Sequence, residues 1–359
     1  NNARIANLAI LGFGVQGNSG ACKVTDYEYS GNILVAHAAG VTIENNLIGQ
    51  TASAASIASD PGAGLRNCGL QGIRSAGSTS LTIKNNKVGW NGGIGISLGG
   101  KSQVATGSSI SLGDIGFGVP ANGSFGSIAT TGALVENNES YQNGANNNFL
   151  DGIDIAKDSK ANIVRFNFVH DNKGVGIDSY LSRGENTITE NTISNNGSGN
   201  QETPGIRLYG SDNIITRNII SNNTGNGISV TNRLGWVDGS PSTNEVSESY
   251  STTENLISQN SIFDNGHLGI DLLLNCTTDD VVNCGGDNES LGGAFVTPND
   301  GLFDNTPNSS GFANRGMDYP IITSAVLTGS SLTINGFVGK AAGDTDFANA
   351  TVEVFIADN

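Results

Sequence analysis

The sequence predicts an all-β solenoid, in which short parallel strands wind into stacked coils. Three observations lead to this fold class. One asparagine recurs in seven units, most closely at intervals of 29, 24 and 27 residues; a second follows it by five positions in six of them, and a Gly-Ile pair tends to follow the unit. Repeats of this length, holding two or three short strands, are typical of solenoids. Helices are not expected, because no window keeps a 3.6-residue period and glycine and asparagine are frequent throughout.

The recurring asparagine occupies equal positions in seven units. These positions are Asn46, Asn86, Asn138, Asn167, Asn191, Asn218 and Asn260. Since coils stack one strand spacing apart, about 4.8 Å, equal positions lie above one another. A side-chain amide is both donor and acceptor, so it can bond the same amide one coil up and one coil down. Asparagine also tolerates left-handed backbone. We therefore predict a ladder of amides at the corners of the coil.

The repeat pattern resembles a known one. Asn-x-Ile-x-x-Asn-x-Ile-x-x-Asn, seen in NTITENTISNN at 186–196 and followed by Gly-Ile, resembles the right-handed parallel β-helix repeat. That repeat occurs in NosD-like carbohydrate-binding and sugar-hydrolase modules and in large secreted bacterial surface proteins. The resemblance covers roughly residues 30–275 and implies a right-handed parallel β-helix. The tail, with DYPIITSAVLTGSSLTINGFVG, resembles the end of such helices, where an Asp-rich loop leads into a β-sandwich-like segment.

The predicted organisation has three parts. A β-helix covers residues 1–273, with insertions at 99–132 and 232–254; an acidic loop covers 274–316; an incomplete β-sandwich segment covers 317–359. The first residues are already strand-like and no signal peptide precedes them, so we expect a piece of a longer protein. An exposed strand edge in the last segment could be completed by a neighbouring domain or by another copy of the protein.

Composition restricts the partners. The formal net charge of -16 disfavours nucleic acid and anionic membrane surfaces. No run of 18 apolar residues is present, so no membrane insertion is expected. A small disulfide fits between Cys276 and Cys284, and Cys22 and Cys68 supply a second pair; four free thiols are the alternative. The even count favours an oxidising compartment, hence a secreted or cell-surface location.

A column of polar residues follows the isoleucine of each Gly-Ile pair and is expected to point outward. Asp154 and Asp178 should lie on successive coils about 5 Å apart, the carboxylate separation of a retaining glycosidase. Arg207, one coil further on, could neutralise the pair or grip a uronate carboxylate. Tyr180 and Tyr209, two residues further along each strand, could offer a sugar platform or a phenolic acid. The alternative is a solvated face with a weak ion pair.

Two further features suggest ligands. Trp236 lies in the second insertion, and the insertions of a solenoid often form its binding side. The acidic loop is rich in oxygen ligands that suit Ca²⁺, although no EF-hand spacing occurs. The candidate calcium ligands are Asp279, Asp280, Asp287, Asp300 and Asp304.

Two functional classes remain open. The first is an extracellular structural or adhesive module of a large bacterial surface protein, which binds a polysaccharide or cell-surface glycan and calcium. The second is a polysaccharide-active enzyme, such as a lyase, an epimerase or a hydrolase, with Asp154, Asp178 and Arg207 as its catalytic residues. The motifs of known β-helix enzymes, such as Asn-Thr-Asp with Gly-His-Gly or Asp-Pro-His-Glu, are absent, which favours the first class.

Overall fold

The chain forms a parallel β-helix, which confirms the predicted solenoid. Three parallel sheets of eight strands each form its faces. No helix among the described residues is long and apolar enough to span a membrane. The structure is a computed structural model that describes residues 2–11, 31–51, 60–61, 71–99, 129–144, 150–197, 203–231, 233–236, 248–250, 252–273, 299, 313–345, 347–348 and 350–354.

Each sheet takes one strand from every coil. The first sheet contains β1 (Arg4–Ala6), β4 (Thr42–Glu44), β7 (Thr82–Lys84), β10 (Leu134–Glu136), β13 (Ile163–Arg165), β16 (Thr187–Thr189), β19 (Ile214–Thr216) and β24 (Leu256–Ser258). The second contains β2 (Ala9–Ile10), β5 (Leu47–Ile48), β8 (Lys87–Gly89), β11 (Glu139–Tyr141), β14 (Phe168–His170), β17 (Thr192–Ser194), β20 (Ile219–Ser221) and β25 (Ser261–Phe263). The third contains β3 (Gly31–Ala36), β6 (Gln71–Ala76), β9 (Ile96–Leu98), β12 (Ile153–Ile155), β15 (Ile177–Ser179), β18 (Ile206–Leu208), β21 (Ile228–Val230) and β26 (Ile270–Leu272).

The core is a stack of β-branched and leucine side chains inside the coils. In the first and second sheets the middle residue of each three-residue strand points inward, as Ile188 and Ile193 do with no exposed surface. In the three-residue strands of the third sheet from β9 to β21 the first residue is buried, as Ile177 is, and so is the third residue. This alternation places the middle residues of the third sheet on its outer side.

The predicted asparagine ladder is present. The backbone N and Nδ2 of Asn167 both donate to Oδ1 of Asn191, at 2.9 and 3.0 Å, and Asn191 repeats the pattern onto Asn218. Nδ2 of Asn191 also donates to Val164 O in the preceding coil, at 2.9 Å. The ladder runs without interruption from Asn46 to Asn260. Every polar atom of a buried amide therefore has a partner, as burial requires.

Two further ladders stand at the other corners. The second ladder consists of Asn91, Asn143, Asn172, Asn196, Asn223 and Asn265. The third ladder consists of Asn162, Asn186, Asn213 and Asn255. It ends at Asn314, whose Oδ1 accepts a bond from Asn255 N at 2.9 Å. The turn Ala313–Gly316 thus lies over the last coil and buries Ala313 completely.

The backbone at the corners differs from the expectation. The residue in the left-handed region is the one before the ladder asparagine, as at Phe166, Glu190 and Arg217, with φ of 55°, 56° and 56°. The ladder asparagine itself does not have positive φ. The left-handed residue turns the chain, so that the following side chain points inward. The corner residue can therefore be of many types, while the residue after it is asparagine.

The glycine of the Gly-Ile pair is required by close packing. A Cβ built on Gly176 would lie 2.5 Å from Ile193 Cγ2 and 2.6 Å from the carbonyl oxygen of Gly205. Gly72, Gly152, Gly205 and Gly227 likewise face a valine or isoleucine methyl group and a glycine carbonyl oxygen, and at Gly95 the Ser140 hydroxyl takes the place of the methyl group. Glycine thus lets the third sheet approach the second ladder closely.

The insertions and the tail differ in detail from their predicted bounds. The coil has already resumed at Thr130 and Thr131, inside the predicted insertion 99–132. Thr252 and Thr253, placed in the insertion 232–254, also belong to the coil. That insertion contains the antiparallel pair β22 (Arg233–Trp236) and β23 (Glu248–Tyr250). The tail, predicted as an incomplete β-sandwich segment, contains one two-stranded antiparallel sheet, β27 (Pro320–Thr328) and β28 (Ser331–Val338), among its described residues.

We expect Asn191→Ala to lower the free energy of unfolding by about 3 kcal/mol, because several buried polar groups each lose a hydrogen bond to Asn191. Asn167 N, Asn167 Nδ2 and Val164 O all lose a bond to Asn191. Urea denaturation followed by circular dichroism measures the loss.

The control for this prediction is Thr192→Ala, next to Asn191 on the outer side of the coil, where the side chain is half-buried. It should cost well under 1 kcal/mol. Equal losses for the two variants would contradict a dominant role for the ladder.

Candidate functional site

The outer side of the third sheet brings the predicted column together. Strand pairing sets Asp154 of β12 beside Asp178 of β15, and Asp178 beside Arg207 of β18. Neighbouring parallel strands lie about 4.8 Å apart, so the three side chains occupy successive coils as expected. Ser97 precedes them in the same register and Ser229 follows them.

The column is buried, which differs from the solvated face that the sequence allowed. Asp154 is 6% exposed and Asp178 is 1% exposed, although both alternate with core isoleucines. The alternation fixes on which side of the sheet a residue lies, and packing over that side decides whether it is solvated. Two buried carboxyl groups this close are costly unless charge is neutralised or a proton is bound.

Arg207 neutralises one of the carboxylates. Its Nε donates to Oδ1 of Asp178 at 3.0 Å and its Nη2 donates to Oδ2 at 2.5 Å. The Asp178 side chain is 2% exposed and that of Arg207 is 25% exposed. This two-bond arrangement is the strongest geometry for such a pair. Of the two roles that the sequence allowed for Arg207, the structure contains the neutralisation of Asp178.

Asp154 is held differently. Ser97 Oγ donates to its Oδ2 at 3.2 Å, while its Oδ1 is buried without a hydrogen-bond partner. Burial and the neighbouring charge of Asp178 raise the pKa of Asp154 to about 8, against the opposing effects of Arg74, Ser97 and Arg207. Asp154 therefore carries a proton at neutral pH.

A third carboxyl group, Asp151, was not identified from the sequence. It is 6% exposed, and Val175 N donates to its Oδ1 at 2.8 Å. Burial raises the pKa of Asp151 well above its usual range, and the charge of Asp178 adds to the effect. The motif DGIDI contains the only available signal, an aspartate directly before the Gly-Ile pair.

The two tyrosines lie beside the column but have different surroundings. Their rings meet edge to face with centroids 5.8 Å apart, and the Arg207 guanidinium lies 5.7 Å from the centre of the Tyr180 ring. Tyr209 is 3% exposed and packs with Leu181, whereas Tyr180 is half-buried. Tyr209 therefore supports Tyr180 and does not itself offer a platform, contrary to our expectation. We call Tyr180, Arg207, Asp178 and Asp154 the third-sheet cluster.

Several predicted residues lie outside the described part of the chain. The four cysteines, Cys22, Cys68, Cys276 and Cys284, and the five candidate calcium ligands are among them. Calcium binding and disulfide pairing therefore stay predictions.

Trp236, the predicted ligand-binding residue of the second insertion, is described and is the last residue of β22. Within the described residues no group of three or more His, Cys, Asp or Glu side chains is placed to hold a metal ion.

His170 forms a second titratable group, on the outer side of the second sheet. Its Nδ1 lies 2.6 Å from Asp171 Oδ2, its Nε2 lies 3.3 Å from Glu139 Oε1, and its ring stacks on Phe168. Burial lowers the pKa of His170, but the hydrogen bonds and charges of Glu139 and Asp171 outweigh it and raise the pKa above the usual value.

Comparison with known proteins agrees with this architecture. The family described as right handed beta helix region matches residues 62–201 and 128–246, which together exceed half of the chain. Among solved structures, the A-module of the mannuronan C-5 epimerase AlgE4 from Azotobacter vinelandii is 14% identical. The match covers 69% of this chain and 53% of that one, with a TM-score of 0.44. The chain thus spans about half the length of the epimerase module.

Two other solved structures are similar. PfbA, a surface adhesin of Streptococcus pneumoniae, is 16% identical over 69% of this chain and 59% of that chain, with a TM-score of 0.33. An alginate lyase from Paenibacillus sp. str. FPU-7 is 11% identical over 77% of this chain and 99% of that chain, with a TM-score of 0.31.

We expect the free energy of unfolding to fall as the pH rises from about 4 to 8. In this window folded Asp154 keeps a proton that the unfolded chain has released, so each pH unit costs up to about 1.4 kcal/mol. Asp151 and His170, whose folded pKa values are also raised, act in the same direction, and Glu139, whose pKa is lowered, acts against them. Thermal melts across this range measure the slope.

The matched variant is Asp154→Asn, which keeps the shape of the side chain and removes its titration. Its melting temperature should vary less with pH than that of the wild type, and it should be the more stable of the two above pH 8. An unchanged slope would show that Asp154 does not bind the proton.

Proposed function

Because the chain belongs to the right-handed β-helix family, we propose that it is a rigid extracellular module with a glycan-binding site on its third sheet. The observation that carries this proposal is the third-sheet cluster. In it a partly exposed aromatic ring, Tyr180, lies next to a guanidinium and a carboxylate. Ligand sites combine an apolar surface with a few fixed polar groups in this way.

The rigidity of the rod supports a presenting role. Three ladders of buried amides connect successive coils, and the strands pair in unbroken register along each face. A rod of this kind can space neighbouring domains, or copies of the same protein, and hold a binding site at a fixed height. The expected disulfides favour a secreted or cell-surface location.

The charges of the cluster favour binding over catalysis. Both oxygens of Asp178 accept bonds from Arg207, and its side chain is 2% exposed. A catalytic nucleophile or base must reach the reacting atom, and in this arrangement Asp178 would first have to leave Arg207. The partly exposed groups, Tyr180 and Arg207, are those that suit recognition.

A polysaccharide-active enzyme is the second candidate, and one observation favours it. Asp154 holds a proton at neutral pH, while its neighbour Asp178 is paired as a carboxylate with Arg207. Adjacent carboxyl groups in different protonation states can act as general acid and as base or nucleophile. Asp154 would then donate its proton to the oxygen of the leaving group.

We expect Tyr180→Ala to weaken the binding of an oligosaccharide selected on a glycan array at least tenfold, because it removes the ring against which a sugar would pack. Titration calorimetry measures the affinity. The control is Tyr319→Ala, which removes a tyrosine 43% exposed in the tail, and it should bind like the wild type. Equal binding by both variants would place any glycan site elsewhere.

For the second candidate we expect turnover of a polysaccharide by the wild type and a loss of at least 100-fold in kcat for Asp154→Asn. The loss follows from the missing proton donor. Reducing-end assays and unsaturated-product absorbance detect hydrolysis and elimination. The control is Asp264→Asn on an exposed corner, which should keep full activity. If the wild type binds a glycan but turns over no polymer, the enzyme candidate is wrong and the glycan-binding module remains.

A further inference from the structure

We propose that the third-sheet cluster takes neutral, hydroxyl-rich sugar units and discriminates against units that carry a uronate carboxylate. This inference rests on the proposed glycan-binding function and names its ligand class. From the sequence alone, Arg207 could bind a carboxylate of the ligand. In the structure its guanidinium is paired with Asp178 instead, and the inference follows from this pairing.

The fork of the guanidinium is already occupied. Nε and Nη2 of Arg207 bond the two oxygens of Asp178 at 3.0 and 2.5 Å. Nε and Nη2 form the pair of parallel donors with which Arg207 holds Asp178, and a uronate could take this pair only by displacing Asp178. A uronate that took this place would leave Asp178, 1% exposed, as a buried and uncompensated charge.

Another cation of the same face is also withdrawn from a ligand. Arg74, which pairs in register with Ser97 and whose charge acts on Asp154, is 5% exposed. Arg207 is the cation of the cluster with an appreciable exposed side chain, at 25%, and its charge is balanced by Asp178. The cluster thus presents a neutral ion pair beside an aromatic ring.

The net charge of the whole chain also disfavours the binding of uronate polymers. With a formal net charge of -16, the protein repels an approaching polyanion at low ionic strength. A neutral polymer meets no such barrier. Its sugar units can pack on Tyr180 and exchange hydrogen bonds with the rim of the ion pair without displacing a buried charge.

The test compares matched oligosaccharides on the wild-type chain. Gluco-, manno- and galacto-oligosaccharides are titrated against mannuronate, guluronate and galacturonate oligomers of equal length, by calorimetry at 150 mM salt. We expect at least one neutral oligomer to bind ten times more tightly than its uronate counterpart. Tighter binding of the uronates would overturn the inference and leave the glycan-binding function standing. Absence of binding in both classes would overturn both.

A variant tests the reason for the preference. Asp178→Asn removes the carboxylate that occupies Arg207, so uronate affinity should rise at least tenfold relative to neutral affinity. Asp158→Asn, which removes the partner of Arg183 outside the cluster, should leave the ratio unchanged. Circular dichroism establishes that each variant is folded, and the wild-type comparison decides the question where Asp178→Asn does not fold. A folded Asp178→Asn with the wild-type ratio would contradict the role of the occupied fork.

Discussion

The asparagine ladder is the constraint on which the rest of the molecule depends. Each coil turns at residues in the left-handed region, such as Glu190, and a side chain there costs roughly 1–2 kcal/mol. The following Asn191 donates to Val164 O, Thr189 O and Asn218 Oδ1 and accepts two bonds from Asn167. At about 0.5–1.5 kcal/mol net for each bond, these contacts offset the strain of the corner.

The ladders also fix the register that creates the third-sheet cluster. Ladder spacings vary from 24 to 52 residues, as between Asn167 and Asn191 or Asn86 and Asn138, yet the strands on either side stay in step. The amides hold the corners in line whatever number of residues separates them. Strand pairing aligns the isoleucines Ile153, Ile177 and Ile206 on successive coils. It therefore also aligns the residues that follow them, Asp154, Asp178 and Arg207.

The sequence predicted the features that depend on the spacing of the repeat. Asparagine and isoleucine spacing predicted the solenoid, the ladder and the meeting of Asp154 with Asp178, since all three depend on equal positions in successive coils. It did not predict the left-handed residues, because Phe166, Glu190 and Arg217 have no side-chain property in common. Nor did it predict the burial of the column and of Tyr209, because packing over the outer side of a sheet depends on segments distant in sequence.

A buried ion pair is a weak source of stability, and its presence here bears on function. Replacement of such a pair by apolar residues is often neutral or stabilising, because the desolvation of both charges is avoided. The ladders and the isoleucine stack already hold this fold together, so the rod does not need Arg207 and Asp178 for its own stability. Asp154 adds to the cost, with an unpartnered buried oxygen and a raised pKa. The polar groups that are costly to bury are thus collected at one place on an otherwise regular rod, and the proposed glycan-binding site would give them a function that stability does not require.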